Sequence, residues 1–233
     1  MINCLICHEE IVSAVSWSTL WSRPQDHHLC QVCTDKLPFI RGETCAKCSR
    51  PFSTLEPQFR EGDTCSDCVR WNRDPEWSGM LDKNHSIFTY DAFLKETLAR
   101  YKFRGDYVMA RAFSPFIRGK LENMKFDCLV PIPLSPERLY ERGFNQSAAL
   151  ILEAGFTPAE LLQRIHSEKQ SKKSRLERIH HHQVFEPLNI NIENKVILLI
   201  DDIYTTGSTL YHAAKVLKTG GAASVLSLTL ARG

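Results

Sequence analysis

Two adjacent carboxylates, Asp201 and Asp202, stand a few residues ahead of a hydroxyl-rich run, Thr205, Thr206, Gly207, Ser208 and Thr209. Neighbouring carboxylates suit sugar hydroxyls, which need acceptors, or a hydrated magnesium ion. Small residues let backbone N–H groups turn inward. Four hydroxyls add donors, and a helix beginning here would add its positive end. Together the two halves fit a ribose carrying a 5′-phosphate. Taken separately, each half has a plainer reading. An Asp-Asp pair also occurs in the acidic metal pockets of receiver-type domains, and Thr-Gly-Ser-Thr could be a simple helix cap. Neither accounts for both halves at this spacing. The Gly-Lys-Ser/Thr and Gly-x-Gly-x-x-Gly signatures of other phosphate loops are absent.

A second chemistry sits at the other end of the chain. Eight of nine cysteines form four Cys-x-x-Cys pairs: Cys4/Cys7, Cys30/Cys33, Cys45/Cys48 and Cys65/Cys68. Each pair offers two thiolate ligands, and two pairs close one tetrahedral site. Sixteen residues separate the last two pairs, good ribbon spacing, and twenty-two separate the first two. Two structural zinc ions in sequential pairing are expected, with a cross-braced arrangement as the alternative. Redox-active thiols are the competing reading, and four clustered pairs fit metal better. His8, His27 and His28 lie beside cysteines, but eight thiolates already fill two sites.

The elements that must position these groups can be read around them. Val196–Ile200 is an apolar, β-branched run, the pattern of a strand buried on both faces of a parallel sheet. Leu210, Ala213, Ala214 and Leu217 follow the spacing of an amphipathic helix, and Gly220-Gly221 ends it. Val225–Leu230 supplies a further strand. The unit is βαβ, and it puts the acidic pair where open α/β sheets hold ligands. Upstream, Ile87–Tyr90 and Phe126–Pro133 read as strands. Leu94–Phe103, Tyr107–Met124 (bent near Pro115) and Asn145–Glu153 (capped by Asn145, stopped by Gly155) read as helices. The expected class is α/β with a mainly parallel sheet. All paired cysteines and all four tryptophans (Trp17, Trp21, Trp71, Trp77) precede residue 78, so the chain divides into a Cys-rich module, 1–76, and an α/β domain, 77–233. The first part is too small and polar for a large core, and metal is its natural staple. The tryptophans could stack nucleobases, although core packing suits at least two of them better.

Among 233 residues the net charge is only +2, which does not by itself announce a nucleic-acid binder. Local charge is another matter. Arg164, Lys169, Lys172, Lys173, Arg175 and Arg178, with His166 and His180–His182 among them, read as a basic loop that would attract polyanions, or as a solvated surface segment. No apolar run approaches the length of a membrane span and no secretory pattern opens the chain, so a cytoplasmic protein is expected.

The Val196–Thr209 run resembles the phosphoribosyl-pyrophosphate (PRPP) motif of type I phosphoribosyltransferases. Val130–Pro133 followed by Arg138, Arg142 and Gly143–Ser147, together with Tyr101–Gly105 and the cysteine pairs, resembles the ComF-type competence branch of that family over nearly the whole chain. The resemblance implies a type I phosphoribosyltransferase-like sheet flanked by helices behind a double zinc ribbon. It implies a role in natural transformation, handling incoming single-stranded DNA in the cytoplasm, at the inner face of the membrane. It places 5′-phosphate contacts on Thr205–Thr209, ribose contacts on Asp201 and Asp202, and Mg2+ with PRPP. Lys102, Arg138 and Arg142 fall on the pyrophosphate side. Gln170 and Arg178 lie in a flexible loop over the site. A ComF-type DNA helicase and other transformation proteins are the implied partners. An active phosphoribosyltransferase and a purely structural zinc adaptor are the alternatives. No catalytic residue and no base-recognition pocket can be read.

Overall fold

A computed structural model describes residues 2–11, 28–103, 106–165, 184–188 and 191–233. Trp17, Trp21, His27, Gly105, His166, Lys169, Gln170, Lys172, Lys173, Arg175, Arg178 and His180–His182 lie outside the described residues.

Four strands form a wholly parallel sheet in the order β3-β8-β7-β4. They are β3 (Lys83–Thr89), β4 (Cys128–Pro131), β7 (Val196–Tyr204) and β8 (Ser224–Arg232). The β-branched run of β7 is buried on both sides. Leu198 and Ile200 join Leu228 and Leu230 under α3 (Ala92–Phe103), α4 (Met109–Leu121) and α6 (Gln146–Glu153). Ile197 and Leu199 join Val225 beneath α7 (Ser208–Thr219). Leu94, Leu98 and Tyr101 share the buried face of α3, as their spacing requires.

Several boundaries differ from the sequence reading. Strand β7 runs on through Asp201 and Asp202 to Tyr204, because its backbone keeps pairing with β8 (Asp201 with Thr229, Tyr204 with Arg232) after the side chains turn polar. Helix α4 is continuous across Pro115. The carbonyl that Pro115 cannot serve, on Arg111, instead accepts from Ser114 Oγ at 3.2 Å. A short exposed helix, α5 (Pro136–Arg142), follows β4. A two-stranded antiparallel pair, β5 (Leu162–Arg164) with β6 (Phe185–Pro187), stands apart from the main sheet.

The cysteine-rich segment is laid against both faces of this sheet. Leu5, Ile6, Leu29, Leu37 and Phe39 pack with the α3–α4–α6 layer. The last two cysteine pairs, with the hairpin of β1 (Arg60–Glu61) and β2 (Thr64–Cys65) and the helix α2 (Ser66–Arg73), pack with the α7 layer. A short helix, α1 (Gln31–Asp35), carries Cys33.

Candidate functional site: two Cys4 centres and an acidic loop at the sheet end

The cysteines gather first pair with second and third with fourth. Within each group the sulfur atoms all lie within 4.8 Å of one another. A tetrahedral zinc with Zn–S bonds of about 2.3 Å sets its sulfurs about 3.8 Å apart. The Cys7–Cys30 and Cys48–Cys65 separations are both 3.6 Å. Backbone N–H groups also donate to the sulfurs, Cys33 to Cys30 Sγ at 3.4 Å and Cys65 to Cys45 Sγ at 3.3 Å, as thiolates favour. The donor set and spacing fit zinc, and each group is a Cys4 zinc-binding site. Zinc here supplies cross-linking of a segment with little core of its own. The first centre is tied to α3, where Arg100 donates to the carbonyls of Ile6 (2.6 Å) and Leu5 (3.2 Å).

The acidic pair lies at the carboxyl end of β7. Asp202 forms a 2.7 Å ion pair with Lys102, from the last turn of α3. Asp201 Oδ1 accepts from the Asp202 N–H at 2.9 Å and from Ser147 Oγ at 3.4 Å. Burial, and next the Asp202 charge, push the Asp201 carboxyl up to about 7, against the pull of these donors and of Lys102. Ser147 is placed by the start of α6, where Asn145 accepts from the N–H groups of Ser147 and Ala148 and donates to Ile132 O.

After Tyr204 the chain enters the hydroxyl-rich loop. Thr205, Thr206, Ser208 and Thr209 are exposed, and Gly207 is buried at φ +87° as the residue capping α7. A side chain at Gly207 would meet the Tyr204 hydroxyl at 2.2 Å, so both the left-handed backbone and the close approach require glycine. Burial raises the Tyr204 phenol above its usual range, so it stays neutral under the loop. The Trp71 indole donates to Thr206 O at 2.8 Å, and its ring stacks on Tyr211 of α7, 4.1 Å between centroids.

Basic groups flank the acids. Arg164 lies on β5; burial and the nearby Arg138 charge lower its pKa, while Asp201 pulls the other way, which places all three groups in one field. Arg138 and Arg142 are on α5, and Arg142 is held by Gln146 Oε1 at 2.8 Å. Between α5, α6 and the β5–β6 pair lies a cleft of about 530 Å³, lined by Pro133, Asn145, Glu160, Arg164 and Glu186 among others.

The structure therefore brings Asp201, Asp202, Lys102 and Thr205–Thr209 to one strand end, with Arg138, Arg142 and Arg164 beside them. Ser147 carries no signal of its contact with Asp201 in the sequence. Nor do Trp71 and Arg232 signal that they neighbour the loop, where Arg232 Nη1 donates to Thr205 O at 2.8 Å and Trp71 to Thr206 O. Residues 2–69 match the double zinc ribbon domain family, and residues 144–233 match the phosphoribosyl transferase domain family. Over 98% of its length the chain is 41% identical to competence protein ComFC of Bacillus subtilis, covering 94% of that protein. The chain belongs to the ComFC family. Competence protein ComFC of Streptococcus pneumoniae is 34% identical, with 99% of this chain and 100% of that protein covered. A DNA utilization protein of Escherichia coli, YhgH, is 25% identical across 88% of this chain and 96% of its own length. In this ComFC-family chain, no helix among the described residues is long and apolar enough to cross a membrane.

Proposed function

We propose that this chain is a cytoplasmic competence protein that handles incoming single-stranded DNA, with a 5′-phosphate or PRPP site at the end of β7. The observation that carries this reading is the placement of Asp201 and Asp202 beside four exposed hydroxyl residues at the start of α7. The two named ComFC relatives supply the competence context. Residues 1–76 would form the zinc-binding module and 77–233 the ligand-binding domain. Thr205–Thr209 would take the 5′-phosphate through backbone N–H groups and hydroxyls, and Asp201 and Asp202 would accept from the ribose. Magnesium, when bound with PRPP, neutralises diphosphate charge. Lys102 sits within reach of both an acid and an incoming anion, so ligand entry competes with its ion pair to Asp202. Arg138, Arg142 and Arg164 supply cationic surface for pyrophosphate or a DNA backbone. A ComF-type helicase and other transformation proteins are the proposed partners.

Calorimetry of PRPP with magnesium tests the ligand site. Binding to wild type and its loss in the Asp201→Asn, Asp202→Asn double variant are expected, and equal binding by both would refute it. Binding of single-stranded DNA should weaken as salt is added; salt-independent binding would exclude phosphate contacts as its basis. A second reading, transfer of ribose 5-phosphate to an acceptor, draws on the cleft of about 530 Å³, which has the volume of a small-molecule site. Pyrophosphate release from PRPP with a nucleobase present would favour it.

A further inference from the structure

The second Cys4 centre and the hydroxyl-rich loop share a wall. Arg232, at the end of β8, is 1% exposed. Its Nε donates to Cys48 Sγ at 3.3 Å. Its Nη1 donates to the carbonyl oxygens of Tyr204 (3.2 Å), Thr205 (2.8 Å) and Gly233. No side-chain carboxylate pairs with this guanidinium among the described residues. Burying such a group is costly unless its charge is met. Four thiolates around one divalent ion leave a net charge of about −2, and the Cys48 sulfur brings that charge to Arg232.

A second tether comes from α2, the helix that carries Cys68. Trp71 holds the carbonyl of Thr206. The carbonyls of three consecutive residues, Tyr204, Thr205 and Thr206, are thus bound, the first two by Arg232 of β8 (Tyr204 O also by the Gly233 N–H) and the third by Trp71 of the ribbon. In a trans peptide the next N–H points opposite to the carbonyl, and the described residues contain no cis peptide. The N–H groups of Thr205, Thr206 and Gly207 are therefore aimed away from Arg232 and Trp71. That is the orientation an anion cradle needs.

We propose that the second zinc centre is the back wall of the anion site, and that Arg232 and Trp71 are positioning residues through which its metal occupancy sets the loop's affinity for a sugar phosphate. This rests on the sugar-phosphate reading of the loop given above. Because coupling is reciprocal, a bound sugar phosphate also raises the zinc affinity of the Cys45/Cys48/Cys65/Cys68 centre.

The test uses the full chain loaded with zinc, and ribose 5-phosphate as the probe. Trp71→Phe keeps the ring stacking and loses only the N–H. Arg232→Lys keeps the charge and loses the fork. For Trp71→Phe, zinc content should stay at wild-type level, while ribose 5-phosphate binds roughly five- to tenfold more weakly and amide exchange across 204–209 rises by a similar factor. In chelator competition at equilibrium, Arg232→Lys should hold zinc about tenfold more weakly, and added ribose 5-phosphate should raise the zinc affinity of wild type. Wild-type affinity and wild-type loop exchange in both variants would overturn the coupling. If wild type takes up no ribose 5-phosphate, the sugar-phosphate reading fails on its own. The coupling is then decided by exchange at 204–209 before and after zinc removal: faster exchange upholds it, unchanged exchange ends it.

Discussion

Asp201 should give up a proton when its site fills. Its carboxyl lies at about 7, raised by burial and by Asp202, and among the described residues the ion pair with Lys102 goes to Asp202, not to Asp201. At pH 7 about half the unliganded molecules carry the Asp201 proton. A ribose hydroxyl needs an acceptor, and a magnesium ion needs a charged ligand, so the bound form is the carboxylate. Filling the site should then release about half a proton per chain at pH 7, and apparent affinity should rise about tenfold between pH 6 and pH 8. The ligand's own phosphate, with a second pKa near 6, changes affinity in the same direction. The Asp201→Asn variant isolates the difference. Calorimetry with ribose 5-phosphate and magnesium, in two buffers of different ionisation enthalpy, counts the protons. Equal proton release in wild type and Asp201→Asn would refute the assignment. The sign for stability is the reverse. An acid whose folded pKa lies above its unfolded value near 3.9 binds more protons in the native state between the two values. Its contribution to unliganded stability is therefore present below about pH 4 and lost as pH rises to about 7. At pH 8, Asp201→Asn without ligand should unfold later than wild type.

Three further outcomes follow from the geometry. Metal analysis of the purified chain should find two zinc ions, one for each group of four cysteines; fewer than one per chain would sink the two-centre reading. Asn145→Ala removes both caps at the start of α6 and the tie to Ile132 O. It should cost about 1–2 kcal/mol in urea unfolding, and an unmoved midpoint would show that water replaces these bonds without penalty. Gly207→Ala drives a methyl group into the Tyr204 hydroxyl at a left-handed backbone position. Sugar-phosphate binding should fall by more than about tenfold with helical circular dichroism kept; undiminished binding would mean the loop does not use this backbone shape when occupied.

The parts of the fold that could be read from sequence are those with local causes. The run Val196–Ile200 announces a strand buried on both faces, and Asn145 announces the start of α6 because its side chain replaces missing helical partners. Gly155 and Gly221, at φ +86° and +98°, mark stops that disfavour a side chain. The cysteine spacing fixes the thiolate pairs. Helix α5 has its signals in the sequence as well. Ser135 accepts from Arg138 N–H and Pro136 follows it, a start signal, with Gly143 at φ +75° closing the helix. Its exposed seven residues lack the apolar stripe that draws attention. Strand β7 outruns its apolar stretch because hydropathy sees side chains, while the ladder to β8 is made by backbone. The links from Arg232 to Cys48, 184 positions apart, and from Trp71 to Thr206, 135 apart, depend on tertiary packing alone.

The strand order has a bearing on how the chain is made. Strand β8 comes last in sequence, yet it lies in the interior of the sheet, between β3 and β7. During synthesis β4 and β7 can pair as soon as both have emerged, but β3 has no neighbour in the sheet until residues 224–232 leave the ribosome. Until then β3 presents an unpaired edge, and Asn84, Ser86, Ser227 and Thr229, which bond across β3 and β8 in the finished sheet, lack those partners. The ribbon segment, already translated, pairs with the opposite, outer edge of β3 in the folded chain, where Ile40 N–H meets Ile87 O and Thr89 N–H meets Pro38 O. Early metal capture by the cysteines would therefore close the outer edge of β3 and leave one open edge, the one β8 fills, a service to the nascent chain separate from anything the completed site binds.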